Sequence, residues 1–171
     1  VIDRRALLGA ALLAGCAGMA QGGGGESGGV TGSADPFLVD PGRGPDEDIP
    51  LWPEGAGVPG GVPEGLSETL VERDNPFGLL DRAAHDVTRP ILSLFRAREP
   101  TGKALLIIPG GGYRWVVVDK EGYEGARWFS RRGAHVYVLR YRLPHQGWAA
   151  GADAPLQDAQ RAVRLIRARA G

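Results

Sequence analysis

Three glycines in succession, Gly110, Gly111 and Gly112, follow an apolar run and Pro109 in the stretch KALLIIPGGGYRW, residues 103–115. Adjacent glycines let a backbone turn sharply and set its N–H groups against something bulky and negative, a phosphate or an oxyanion. A phosphate loop needs a lysine followed by Ser or Thr directly after its last glycine, and none stands here. A dinucleotide loop opens straight into a helix, whereas YRWVVVDKEG separates these glycines from the next helical pattern. The chemistry left is an oxyanion hole, in which backbone donors meet the charge of a tetrahedral intermediate. A plain glycine-rich turn at a strand end is the structural alternative.

The elements that must hold such a loop are legible around it. ALLIIP reads as a strand buried on both faces, since it is apolar without alternation. ETLVER (68–73) and ILSLF (91–95) have strand content, and AHVYVLRY (134–141) reads as a further strand. Residues 120–132 read as a helix stopped by Gly133, in the left-handed position that favours glycine. Asp153 is placed to cap a last helix with Pro155 in its first turn. Leu156, Ala159, Val163 and Ile166 recur at helical spacing as its buried stripe. Arg161, Arg164 and Arg167 fall on another face, expected to be solvated with Asp158 as a partner; an anion site is the alternative. His85 and His135 are expected to be structural. The proline-rich segment 37–66 is expected to be an extended wrap packing Trp52 on the surface. Alternating strands and helices predict parallel strands joined by crossovers in a three-layer α/β/α sandwich.

The chain has 171 residues, enough for one domain with a core. Its 20 basic and 20 acidic residues cancel, so no net field points to nucleic acid as a partner. A lone cysteine, Cys16, excludes an internal disulfide framework. Residues 1–16, VIDRRALLGAALLAGC, have an arginine pair, about ten apolar residues and small residues before the cysteine, the pattern of an export signal. Leu13-Ala14-Gly15-Cys16 resembles a lipobox, which implies a lipid on Cys16 and a place on the periplasmic face of a bacterial membrane. Arg4-Arg5 also resembles a twin-arginine signal. Residues 17–49 form a Gly/Pro-rich tether, and residues 50–171 the folded domain. Within the tether, Gly25-Glu26-Ser27-Gly28-Gly29 matches the G-x-S-x-G nucleophile pattern. It lacks the flanking strand and helix that pattern requires and is read as coincidence.

Four blocks carry a resemblance: PGGGY (109–113), DKEGYEGARW (119–128), YRLPHQGW (141–148) and PLQDAQRAVRLIR (155–167). Their order over about residues 50–171 resembles bacterial α/β-hydrolase esterases of the acetyl-xylan-esterase type. Pro109 stands where many such loops carry histidine, which removes a side chain but no backbone donor. The resemblance implies that Gly110 makes the turn and that Gly111 and Gly112 supply oxyanion N–H groups. It also implies that Tyr113, Trp115 and His145 line the substrate pocket. It places the nucleophilic serine, the acid and the histidine beyond Gly171, so that no catalytic triad stands in this chain and the sheet stops short of the nucleophile strand. No cofactor or metal is implied, and the substrate class is an acylated saccharide. A peptidase or amidase of the same fold, and a non-catalytic, lipid-anchored module holding carbohydrate through Tyr113, Trp115 and Trp148, are the alternatives.

Overall fold

The computed structural model describes residues 42–170 apart from 54, 56, 77 and 78. The expected signal, Cys16, most of the tether and the Gly25–Gly29 pattern therefore lie outside the described residues. The main sheet has four strands: β1 (Glu47–Pro50), β4 (Ile91–Phe95), β7 (Ala134–Arg140) and β5 (Lys103–Ile107), in that spatial order. A second sheet of β2 (Thr69–Glu72), β3 (Arg82–His85) and β6 (Val116–Val117) is antiparallel throughout. The main sheet begins at 47, inside the stretch expected to be tether and wrap. Backbone pairing there runs from Glu47 opposite Leu94 to Pro50 opposite Ile91.

The sheet is mixed, not wholly parallel as expected. β1 and β4 are antiparallel, β4 and β7 are antiparallel, and only β5 and β7 run parallel. The interior strands are β4, buried at all five positions, and β7, buried from Val136 to Leu139. Continuous apolar sequence there is explained by cover on both faces. The similar run in β5 has a different setting, which corrects the expectation of burial. β5 has a partner only in β7 among the described residues; Lys103 and Ala104 are exposed and Leu105 to Ile107 half-buried.

Side chains alternate across a strand, so neighbouring contacts assign the layers. Ser93 shares a hydroxyl contact of 2.9 Å with Tyr123 Oη, and Phe95 packs edge-on against the Tyr123 ring at 5.1 Å. That is the face of α1 (Glu124–Ser130) and of the wider π-helical turn leading into it (Asp119–Tyr123). Leu92 and Leu94 point the other way, with Glu47 and Ile49 opposite them. Arg169, just past α2 (Ala154–Ala168), donates to Glu47 at 2.8 Å on that second face. The helices therefore flank opposite faces, giving three layers.

The buried face of α2 departs from the expected stripe. Ala154, Asp158 and Ala162, spaced by four, are buried, with Ala159, Leu165 and Ile166 partly so. Leu156 is 55% and Val163 38% exposed. What rotates the helix is Asp158, whose carboxylate accepts from Arg142 Nη2 at 2.8 Å and from its backbone N–H at 2.9 Å. Both side chains have no solvent exposure. Removing either partner of such a pair leaves a buried charge uncompensated, a large penalty. Asp158 also accepts from Trp52 Nε1 at 2.9 Å, which ties the proline-rich segment to the core. Arg161, expected to pair with Asp158, donates instead to the Leu51 carbonyl at 3.1 Å. Arg164 and Arg167 are exposed, as expected. Asp153 occupies the N-cap position of α2 without a side-chain capping bond, with proline in the first turn.

Candidate active site

The glycine loop leaves the C-terminal end of β5 and returns as β6, so it sits where both sheets meet. Its turn falls later than expected. Gly110 has an ordinary φ, while Gly111, Gly112 and Tyr113 have φ of 138°, 62° and 58°. The first requires glycine on two counts: a Cβ there would lie 2.2 Å from the Trp115 carbonyl oxygen, in a backbone region side chains rarely adopt. A Cβ on Gly112 would meet nothing within 4 Å. Tyr113 holds a left-handed conformation at a cost of about 1–2 kcal/mol. Such outliers persist where surrounding structure enforces them.

That enforcement is visible at the base of the loop. Tyr141 Oη donates to the Pro109 carbonyl at 2.8 Å. Gly122 lies against Pro109 and Val138 so closely that a Cβ would come within 2.7 Å of Val138 Cγ1. The Gly110 N–H donates to Glu121 Oε2 at 2.8 Å, and the Gly110 carbonyl accepts from Val117 N–H at 3.0 Å. The Gly111 carbonyl accepts from Arg114 N–H at 3.1 Å. The N–H groups of Gly111 and Gly112 have no acceptor among the described residues. Two adjacent unclaimed donors on a pinned loop are what an anion needs.

The supporting shell is charged and well partnered. Asp119, fully buried, accepts from Arg82 N–H at 2.8 Å, Nε at 2.7 Å and Nη2 at 2.9 Å. Burial alone would raise its carboxyl, but the Arg82 hydrogen bonds and charge outweigh that and hold it below the usual carboxylate range. Burial, with smaller contributions from Tyr113 and Glu121, pushes the Tyr141 phenol up to about 12, so it remains a neutral donor to Pro109.

The expected pocket residues are dispersed around this loop. The Tyr113 side chain, 56% exposed, stands edge-on to Tyr141 at 6.4 Å. Trp115 is half-buried between the His85 ring, edge-on at 5.1 Å, and the Arg73 guanidinium at 5.8 Å. His145 is exposed in the loop after β7 and makes no hydrogen bond or ring contact to the glycine loop among the described residues. Trp148 is buried beneath Arg142 at 5.1 Å, facing the core and not a ligand surface. His135 Nδ1 accepts the Ala97 N–H at 3.2 Å, a structural role. Sequence reasoning passed over Glu121, Tyr141 and the Arg82–Asp119 pair. Glu121 and Asp119 lie in the block DKEGYEGARW, but nothing in spacing alone says that one would reach back to the glycines.

The three described serines offer no activated hydroxyl. Ser93 Oγ donates to Asp48 at 2.6 Å inside the sheet, Ser130 Oγ donates to the Arg127 carbonyl at 3.2 Å, and Ser67 lies exposed in a loop. None is hydrogen-bonded to a histidine among the described residues, as nucleophilic activation requires.

No protein-family profile matches the chain. It is 33% identical over 73 residues to an acetylxylan esterase from Xylanibacter ruminicola; the matched stretch is 43% of this chain and 14% of that protein. Among solved structures it is similar to an acetyl ester-xyloside bifunctional hydrolase from Caldicellulosiruptor lactoaceticus. That likeness has 26% identity and a TM-score of 0.41, covering 71% of this chain and 35% of that one. It is also similar to a Thermogutta terrifontis esterase, at 17% identity and a TM-score of 0.36, covering 63% and 37%. The chain thus spans well under half the length of the proteins it matches. The fourth main-sheet strand inserts between the second and third, a glycine loop follows the third, and over 73 residues the chain is similar to part of an acetylxylan esterase.

Proposed function

We propose that this sequence supplies the oxyanion-hole portion of a serine ester hydrolase that removes acyl groups, acetyl above all, from saccharides. The observation that carries the reading is the pair of unclaimed N–H groups on Gly111 and Gly112, held on a loop whose base is bonded at Pro109 and Gly110. The nucleophile, its histidine and its acid are assigned to sequence following Gly171, and the 171 residues by themselves to an inactive state. In this mechanism a serine alkoxide adds to the ester carbonyl, whose oxygen becomes an anion received by Gly111 and Gly112. Collapse expels the sugar as its hydroxyl, protonated by the histidine that took the serine's proton, and water, deprotonated by the same histidine, releases the acyl group in a second round through the same donors. Tyr113 and Trp115, which follow those donors in sequence, are the proposed walls for the acyl group or sugar, with His145 at the rim. Lipidation at Cys16 would hold the domain on the periplasmic face of the membrane. Fatty-acid labelling that disappears in Cys16→Ala tests this separately.

The esterase reading is tested by acetate release from acetylated xylo-oligosaccharides by the full-length protein, together with fluorophosphonate labelling. Turnover with a labelled serine is the expected result. Glycan binding with neither turnover nor labelling would favour the carbohydrate-binding alternative instead.

A further inference from the structure

The contact that does most to define the anion site comes from outside the loop. Glu121 lies in the π-helical turn Asp119–Tyr123, a geometry that recurs at functional sites because the extra residue per turn re-aims side chains. Its carboxylate takes the Gly110 N–H at 2.8 Å and lies so close over that residue that a Cβ on Gly110 would be 2.6 Å from Oε2. The turn is itself immobilised. Arg82 grips Asp119 through three donors, Tyr123 N–H bonds back to the Val118 carbonyl at 2.9 Å, and Gly122 packs on Pro109 and Val138.

We propose that Glu121 is a positioning residue for the oxyanion site, an inference that rests on the esterase reading above. By fixing the Gly110 N–H it sets the planes of the next two peptides, so that the Gly111 and Gly112 N–H groups converge on the developing oxyanion. It also withdraws the Gly110 donor from that task. Glu121 touches neither substrate nor reacting atoms in this role. What it needs is an acceptor oxygen at that place, not a negative charge, so a glutamine should serve where an alanine does not.

The test compares Glu121→Ala and Glu121→Gln in the full-length protein by three readouts: kcat and KM on p-nitrophenyl acetate, affinity for a trifluoromethyl ketone inhibitor, and amide exchange at Gly110. The alanine variant is expected to lose about 100-fold in kcat and in inhibitor affinity, the effect of a small misplacement of catalytic groups, with KM nearly unchanged. Its Gly110 amide should exchange faster. The glutamine variant should stay within about tenfold of the parent in kcat, losing only the charge-assisted part of one hydrogen bond. The proposal is overturned if the alanine variant keeps its kcat while Gly110 exchange quickens. It is equally overturned if both variants lose thermal stability in step with activity, which is plain structural support. If the parent protein hydrolyses no ester, the function proposed above fails; unchanged Gly110 exchange in the alanine variant would then still refute the contact itself.

Discussion

At the scale of single residues, Gly111 and Gly112 make separable demands. Gly111→Ala would force a Cβ into the Trp115 carbonyl at 2.2 Å and into an unfavourable φ of 138°. Relief requires the peptide to rotate, which misdirects its donor. The expected loss in kcat is about 10²–10³-fold, the typical effect of deleting one oxyanion donor. Gly112→Ala meets open space and bears only the left-handed penalty of about 1–2 kcal/mol, so it should fold and retain most activity. Steady-state kinetics with paired melting curves check both. Tyr141 gives a pH signature. Its phenol titrates near 12 when folded and near 10 when unfolded, so its contribution is complete below pH 10 and is lost as pH rises from about 10 to 12. Tyr141→Phe should flatten that part of the stability-against-pH curve, measured by denaturant unfolding.

At the scale of elements, two ion pairs decide where helices lie, one buried on both sides and one joining a buried carboxylate to a partly exposed guanidinium. Arg142–Asp158 sets the rotation of α2, and Arg82–Asp119 anchors the turn behind the glycine loop. Asp158→Ala should cost about 3–5 kcal/mol in urea unfolding, the range for breaking a fully buried pair. For Asp119, whose carboxyl is held low when folded, the sign runs the other way from Tyr141. Its stabilisation is present above the ordinary carboxylate range and lost as pH falls below it. Asp119→Asn should therefore weaken the acid-induced loss of stability. These pairs also mark what sequence could and could not reveal. The helices near 124 and 154, the glycine stop at Gly133 (φ 88°) and the strand at 134 follow from local pattern. The buried face of α2 was misread because a charged residue, Asp158, takes a core position once Arg142 neutralises it. Periodicity ranks residues by hydropathy and cannot see a partner 16 residues away. β1 was missed for a similar reason: EDIP carries no strand pattern, and its pairing is imposed by β4. The glycine loop was legible because three successive glycines interrupt an apolar run, whereas Glu121 became visible only when the turn brought it to Gly110.

At the scale of the molecule, the apolar strand leading into the loop has an unpaired side among the described residues. β5 is bonded to β7 alone, and Ile108 just after it is 51% exposed. Open apolar edges template association between copies. The 171-residue chain should therefore self-associate with rising concentration, and Ile108→Lys should reduce it, as read by sedimentation velocity. Unchanged association in that variant would point to another surface. Gly111 and Gly112 are proposed to receive a negative oxygen. The most direct measurement is the amide NMR spectrum of the full-length protein before and after phosphonylation by a fluorophosphonate, whose adduct places an oxygen where the oxyanion forms. The Gly111 and Gly112 amide protons are expected to move downfield together and exchange more slowly, while Gly110, already held by Glu121, changes little. A complete adduct that leaves the Gly111 and Gly112 signals in place would contradict it.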